Sequence, residues 1–336
     1  MINRRILYFS FALLLLVGLI TLGLKVGSFK ADFYQLKAAL FAYNPDDQVH
    51  FAIVQLRLPR LLLALLVGGS LAFSGYLMQA MVNNALADPF ILGTASGASL
   101  GASLSISGVL ATTWGSFYLP PIFALAGAFG VTLIVIALGY RKGQIIPAQM
   151  LLAGIAVGSL LTAMVSLFTF LSDSESAVRS ILFWSMGDFG RANWNLLPYP
   201  TVALALALLL FLFLQKELNI LLLGAERAGT LGVRVARTRW IILATVSVAT
   251  GFSVALAGSV GFVGLIVPHV TRSIFGLTYK WNLFLCTLIG GGFMVGCDIL
   301  SRLLYPPAGL PIGIITSFFG VPFFVYLLLK KSYKFN

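Results

Sequence analysis

Charge is what this sequence has least of. Only 10% of its 336 residues are charged, against roughly 25% in ordinary soluble domains. With 59% of positions apolar, a folded unit in water would expose large apolar patches and associate. Acid is scarcer than base: Asp and Glu total 10, Lys and Arg 22, for a net charge of +12. The basic residues sit in short gaps between apolar runs and form neither a face nor a stripe, which argues against a nucleic-acid surface. Cysteine and histidine are almost absent, with two of each. Cys286 and Cys297 share one apolar segment, where a helix would hold them roughly 16 Å apart, beyond the roughly 7 Å Cα limit of a disulfide. They are expected to be buried free thiols. Also missing are H-E-x-x-H, G-x-S-x-G and any pair of carboxylates within one apolar run, so no catalytic or metal-ligating constellation is expected. A G-x-x-x-x-G-K-[ST] phosphate loop is missing too. ATP hydrolysis, if it drives this protein, belongs to another chain.

What is present is a series of apolar runs of about 20 residues, each able to cross the ~30 Å hydrocarbon layer as a helix. They fall near 6–26, 60–82, 91–112, 117–139, 146–171, 195–215, 239–257, 260–276, 281–303 and 311–330. The reading is an all-α integral membrane protein of about ten spans, residues 1–336 forming a single transmembrane domain. The first run is too long for a signal-peptide core and no A-x-A-like site follows it, so it reads as a retained span. The larger share of Lys and Arg, including Lys142, Lys280, Lys330, Lys331 and Lys334, falls on the side that would carry both termini. Both ends are therefore expected in the cytoplasm. Two segments lie outside the spans on the far side, 28–50 and 172–193. The second, with Asp173, Glu175, Arg179 and Asp188 around Phe183, Trp184 and Met186, reads as an interfacial helix with Trp184 and Trp194 at headgroup level. Ser70–Gly75 echoes Ser253–Gly258, and each copy is followed by a further glycine, Gly93 and Gly276. This suggests an inverted repeat of spans 2–5 and 7–10, an architecture common among transporters.

The longest gap on the basic side is the most informative. Residues 218–233 read as two short helices hinged at Gly224 and closed by Gly232, glycine tolerating the positive φ such hinges need. Composition alone also allows a solvated basic loop. The pattern L-G-x-x-x-A-x-x-L-G, met by Leu223, Gly224, Ala228, Leu231 and Gly232, occurs with four further motifs. These are Gln55-Leu56-Arg57-Leu58-Pro59-Arg60, Asn84-Ala85-Leu86-Ala87-Asp88-Pro89 leading to Leu92-Gly93, Gly261 through His269, and Leu310-Pro311-Ile312-Gly313. Together, in this order over about residues 51–330, they resemble the FecCD-type permeases, membrane subunits of ABC importers for iron–siderophore, haem and cobalamin.

That resemblance implies a homodimer carrying two ABC ATPase subunits, loaded by a periplasmic substrate-binding protein, in the bacterial inner membrane. ATP and Mg would sit on the partner subunit, with no cofactor on this chain. Residues 216–238 would hold the coupling helices, with Leu223, Gly224, Glu226, Arg227, Ala228, Leu231 and Gly232 meeting the ATPase. Arg57, Arg60 and Arg302 would receive acidic residues of the binding protein. The other readings are arginines that snorkel to headgroups, and an Arg302 paired with Asp298 four residues earlier. Asn84 and Leu86, with Pro147 and Ala148 at the start of span 5, would form a cytoplasmic gate. Here Ala85 replaces the usual proline, and Pro147 and Ala148 replace small hydroxylated residues.

Asp88-Pro89 is a good helix start, and His269 is expected to be structural. From the residues themselves, Ser159, Thr162, Ser166 and Thr169 of span 5 are the candidate pathway wall, because three recur at helical steps. Such hydroxyls can also bond their own helix. The expected cargo is a metal chelate, with an oxyanion such as molybdate as the alternative. An ion-gradient-driven secondary transporter is the alternative of another class, and Asp298 would be its ionisable site.

Overall fold

The computed structural model describes residues 2–27, 31–108, 119–141, 143–172, 174–276 and 281–329, with side chains from Leu7 onward. Lys142, Asp173, Lys280, Lys330, Lys331 and Lys334 lie outside the described residues. The chain is built of helices, joined on one side by a two-residue hairpin, β1 (Tyr140–Arg141) with β2 (Gln144–Ile145).

Every predicted span has a helix, although two are short. The long ones are α1 (Ile2–Lys25), α4 (Leu58–Val82), α6 (Leu119–Gly139), α7 (Pro147–Phe170), α12 (Val235–Ala257), α14 (Asn282–Leu304) and α15 (Ile312–Leu329). Span 6 is α9 (Pro198–Phe213), which turns by 75° into α10 (Gln215–Leu221). Spans 3 and 8 are α5 (Thr94–Ile106) and α13 (Val263–Phe275), 13 residues each. A helix of that length reaches about 20 Å, two-thirds of the hydrocarbon thickness. Each begins inside the bundle at a left-handed residue, Gly93 (φ +70°) and Phe262 (φ +69°). Irregular backbone at depth is tolerated where protein buries it. Outside the spans, α2 (Phe33–Phe41) and α3 (Gln48–Phe51) lead through a π-helical turn, Ala52–Arg57, into α4. The remaining short helices are α8 (Glu175–Met186) and α11 (Ala225–Thr230).

The two halves repeat. The central helix α4 packs on α12, α13 and α14, while α12 packs on α4, α5 and α6. Contacts among α5, α6 and α7 are matched by contacts among α13, α14 and α15. The echo in the sequence nonetheless had the wrong register. Gly93 opens α5, whereas Gly276 closes α13, so the two glycines are not equivalent. The repeat resides in element lengths and pairing, not in those six-residue strings.

Helices in lipid gain little from hydrophobic burial against each other, so close van der Waals approach carries the packing. Glycine permits it here. A Cβ on Gly75 of α4 would lie 1.9 Å from the Gly264 carbonyl oxygen of α13, and one on Gly68 would lie 2.3 Å from that of Gly290 on α14. These crossings leave α4 mostly buried, while α7 and α15 keep wide apolar faces open. Cys286 and Cys297 are buried free thiols.

The interfacial reading of α8 needs one correction. Trp184 is not open to headgroups; with Ile181 it is buried, packed with Ala98, Ala102, Ala124, Ala128, Val254 and Ala255. The apolar face of α8 turns inward because these alanines leave room for an indole. Trp194 is exposed and donates its indole N–H to Val54 O at 3.0 Å.

Candidate functional site

The α10–α11 segment is an apolar anchor with an exposed crest. Leu218, Leu221, Leu222 and Ala228 are buried against the bundle, and α10 packs on α4, α9 and α12. The hinge between the helices is Gly224 at φ +96°, a conformation that disfavours any side chain, and Gly232 follows α11 at φ +86°. Leu223 and Leu231 project outward, 53% and 60% exposed, beside exposed Glu226 and Arg227. Two apolar side chains rimmed by charge have the composition of a docking patch.

This crest adjoins the loop after α4. A Cβ on Gly224 would lie 3.8 Å from Asn83 Nδ2. Asn83 caps α4 in the left-handed region (φ +53°), and the Asn84 side-chain oxygen accepts from Leu86 N–H at 2.9 Å. Leu86 then packs among Phe262, Leu265, Ile266, Val270, Phe323, Phe324 and Leu327 of α13, its N-cap and α15. His269 meets Phe323 edge-on at 5.7 Å, so it takes part in the same packing. Asp88 accepts from Phe90 N–H at 2.8 Å and starts the 3-10 turn Pro89–Leu92. Burial pushes its carboxyl up to about 6, the Phe90 N–H offsetting only part of the desolvation. Pro147 is the first residue of α7, and Ala148 beside it is exposed. The close approach between α7 and this loop lies two turns farther on, where a Cβ on Gly154 would meet Ile91 O at 1.9 Å.

Ser159, Thr162 and Ser166 are exposed on α7 and Thr169 is half-buried. Each donates its hydroxyl to the carbonyl four residues back, at 2.8–3.1 Å. Their donors are therefore spent on their own helix, which leaves only lone pairs for a passing solute. The larger hollow is elsewhere, and the sequence reading missed it. A cavity of about 780 Å³ opens among α8, the 258–262 turn and α15, lined by Ser185, Met186, Ser259, Gly261, Ser317 and Phe318. Among the described residues no ionisable side chain lines it. The one signal for it in the sequence was glycine at two span boundaries, in Ser259–Gly261 and Pro311–Gly313.

At the opposite end, Arg57, Arg60 and Arg302 face a common hollow of about 260 Å³. They do not form an exposed basic patch. Arg57 and Arg302 are 7% and 8% exposed and cap the C-terminus of α1. Arg57 donates to Leu24 O at 2.7 Å, and Arg302 to Gly23 O at 3.0 Å and Val26 O at 2.6 Å. Orphan carbonyls and the negative helix end both favour cations there. Asp298, fully buried, joins Arg60 at 2.6 Å and Arg302 at 2.9 Å. Arg60 also lies 3.7 Å from Asp188. The expected Arg302–Asp298 pair is thus present, but within a wider network. An Asp298 held between two guanidiniums is poorly suited to be the ion site of a gradient-driven carrier. Among the described residues no group of His, Cys, Asp and Glu could hold a metal ion.

The family model described as the FecCD transport family matches residues 14–330. The haemin transport system permease protein HmuU of Yersinia pestis is 36% identical, over 97% of this chain and 96% of its own length. The molybdate import system permease protein MolB of Haemophilus influenzae is 34% identical, over the same shares of both chains. A solved structure described as an inward-facing conformation of a metal-chelate type ABC transporter superposes with a TM-score of 0.83 at 32% identity, covering 97% of this chain and 99% of that one. Among the described residues, seven helices long enough to span, with the bent α9–α10 pair and the shorter α5 and α13 in two repeated halves, accord with the match in sequence: this chain is a membrane permease of an ABC importer and belongs to the FecCD transport family.

Proposed function

We propose that this permease works as a homodimer with two ABC ATPase subunits and imports a metal chelate of the iron–siderophore, haem or cobalamin class across a bacterial inner membrane. The observation that carries the substrate class is the cavity beside α8 and α15, which offers hydroxyls and apolar surface and no charge. A tight oxyanion site would need cations at that depth. A chelate whose metal charge is masked by its ligand can pass such a wall without being held. The cavity is open on one side, and a second copy is the proposed closing wall, with α7 and α15 contributing their exposed faces.

The Leu223–Leu231 crest is the proposed ATPase contact, with Glu226 and Arg227 setting register. Energy would enter there and reach the Asn84–Leu86 gate through the Asn83 side chain that adjoins Gly224. ATP and Mg belong to the ATPase, and this chain contributes no catalytic group. At the other end, the binding protein would insert acidic side chains toward the hollow of Arg57, Arg60 and Arg302, with Arg60 the most accessible. The excess of Lys and Arg at the crest end supports a cytoplasmic location for it and for both termini.

The relative that imports molybdate supports a second reading of cargo. Uptake by proteoliposomes containing this chain, its ATPase and its binding protein separates the two. The proposal expects ATP-dependent accumulation of ferric chelate or haem and none of molybdate. Accumulation of molybdate alone would overturn the chelate reading.

A further inference from the structure

Pro268 lies inside α13 and has no N–H, so the carbonyl of Gly264, four residues earlier, loses its helical donor. A buried carbonyl without a partner is costly in a membrane. The missing donor comes from another helix. Gln79 of α4, with no solvent exposure, places its side-chain Nε2 3.4 Å from Gly264 O and 3.3 Å from Leu265 O.

The other half of the same amide is also occupied. Its oxygen accepts from Arg272, one turn beyond Pro268 on α13. Arg272 donates as well to Tyr76 O at 3.0 Å, and its guanidinium stacks 4.0 Å above the Tyr76 ring. The main-chain carbonyl of Gln79 has a third task. It accepts from Asn83 N–H, the cap of α4, and from Asn84 N–H at 3.1 Å.

One residue therefore ties three things together: the loop beside the Gly224 hinge, the helix α4, and both sides of the proline break in α13. The far end of α13 is engaged as well. A Cβ on Gly320 of α15 would lie 2.2 Å from the ring of Phe262, the left-handed residue that opens α13. With the close approach of Gly75 to Gly264, this packs the start of α13 tightly on both α4 and α15.

We propose that Gln79 is the positioning residue that passes displacement of the Asn83–Leu86 loop to α13 and α15, by bracing the proline break that would otherwise absorb it. The proposal rests on the importer reading, and it concerns how hydrolysis is converted to movement, not which cargo moves.

The test uses Gln79→Glu, which keeps an acceptor for Arg272 and removes the donor to Gly264. Pro268→Ala, added to it, restores the N–H that α13 lacks, so Gly264 O is satisfied within its own helix. Full complexes in proteoliposomes are compared for uptake per ATP hydrolysed. For Gln79→Glu the expected result is a fall of about tenfold in uptake per ATP, the scale on which one orphaned buried carbonyl acts. Hydrolysis itself stays within about twofold, since the ATPase contact is untouched. Adding Pro268→Ala recovers most of the loss. Uptake per ATP unchanged in Gln79→Glu would overturn the proposal, as would a loss that Pro268→Ala does not repair. If Gln79→Glu fails to accumulate in the membrane, the proposal requires that the double variant accumulate, and its failure to do so also overturns it. Failure of the importer reading looks different: the unmodified complex itself shows no ATP-dependent uptake.

Discussion

Two helices of this permease, α4 and α7, look interchangeable as strings of residues and are opposites in the fold. Both are long and apolar, and α7 is slightly the more apolar of the two. Yet α4 is the buried axis of the bundle, and α7 lies at its edge with most of its surface open. The difference shows that hydropathy reports whether a helix can sit in lipid, not whether it does. What separates the two is the chemistry that other helices can reach. The glycines of α4 meet backbone on two helices, α13 and α14, whereas Gly154 of α7 meets the short turn at Ile91, and Arg60 at the start of α4 meets Asp298. The hydroxyls of α7 bond their own backbone and reach for nothing.

The largest effect that would test this contrast is expected from Asp298→Ala. It strips Arg60 of α4 and Arg302 of their buried carboxylate, and breaking such a pair costs about 3–5 kcal/mol. The thermal midpoint of the detergent-solubilised protein should fall steeply; a midpoint unchanged within error would mean that the arginines find water instead. Gly75→Ala should come next. Its new methyl would overlap the Gly264 carbonyl and cost about 1–3 kcal/mol or more. The matching change on α7, Gly158→Ala, meets only Ser96 Oγ at 3.4 Å and should be neutral or mildly stabilising. Equal losses from the two would erase the distinction between axis and edge.

Smaller still is the expected effect of Ser159→Ala and Ser166→Ala together. Their hydroxyls serve their own helix, so stability should change by no more than about 0.5 kcal/mol. A cysteine at 159 offers the sharper readout, since a second copy facing α7 would let it cross-link to its twin. A further effect, confined to acid pH, concerns Asp88. Its carboxyl is raised to about 6 in the folded protein, so the fold favours the protonated form. Stability should therefore increase as pH falls through 6 towards 4 and be lost again as pH rises through 6. Asp88→Asn keeps the acceptor for Phe90 N–H and should flatten that part of the profile.

Much of this fold was legible because a helix crossing lipid must satisfy its own backbone, which leaves a run of about 20 apolar residues as its trace. The same rule hid the short helices. Residues 91–93 and 260–262 stay apolar although they precede α5 and α13, because that irregular backbone is packed within protein. The burial of Trp184 was hidden for a related reason: an indole suits headgroups or a bed of alanines equally well, and the alanines come from helices far away in sequence. The three arginines were found by motif, but their burial was not, since Asp298 lies 238 residues from Arg60. The cavity beside α15 has walls from three separated segments and no motif of its own.

The central claim is that the Leu223–Leu231 crest is where energy enters this molecule. Its most direct test is co-purification of the ATPase subunit with the tagged permease, comparing the unmodified chain with Leu231→Glu. Leu231 is exposed, so the variant should fold with an unchanged thermal midpoint. The account predicts that it loses the ATPase, because a charge replaces an apolar contact at the crest. A variant that keeps its full complement of ATPase would contradict the account and place the docking surface elsewhere.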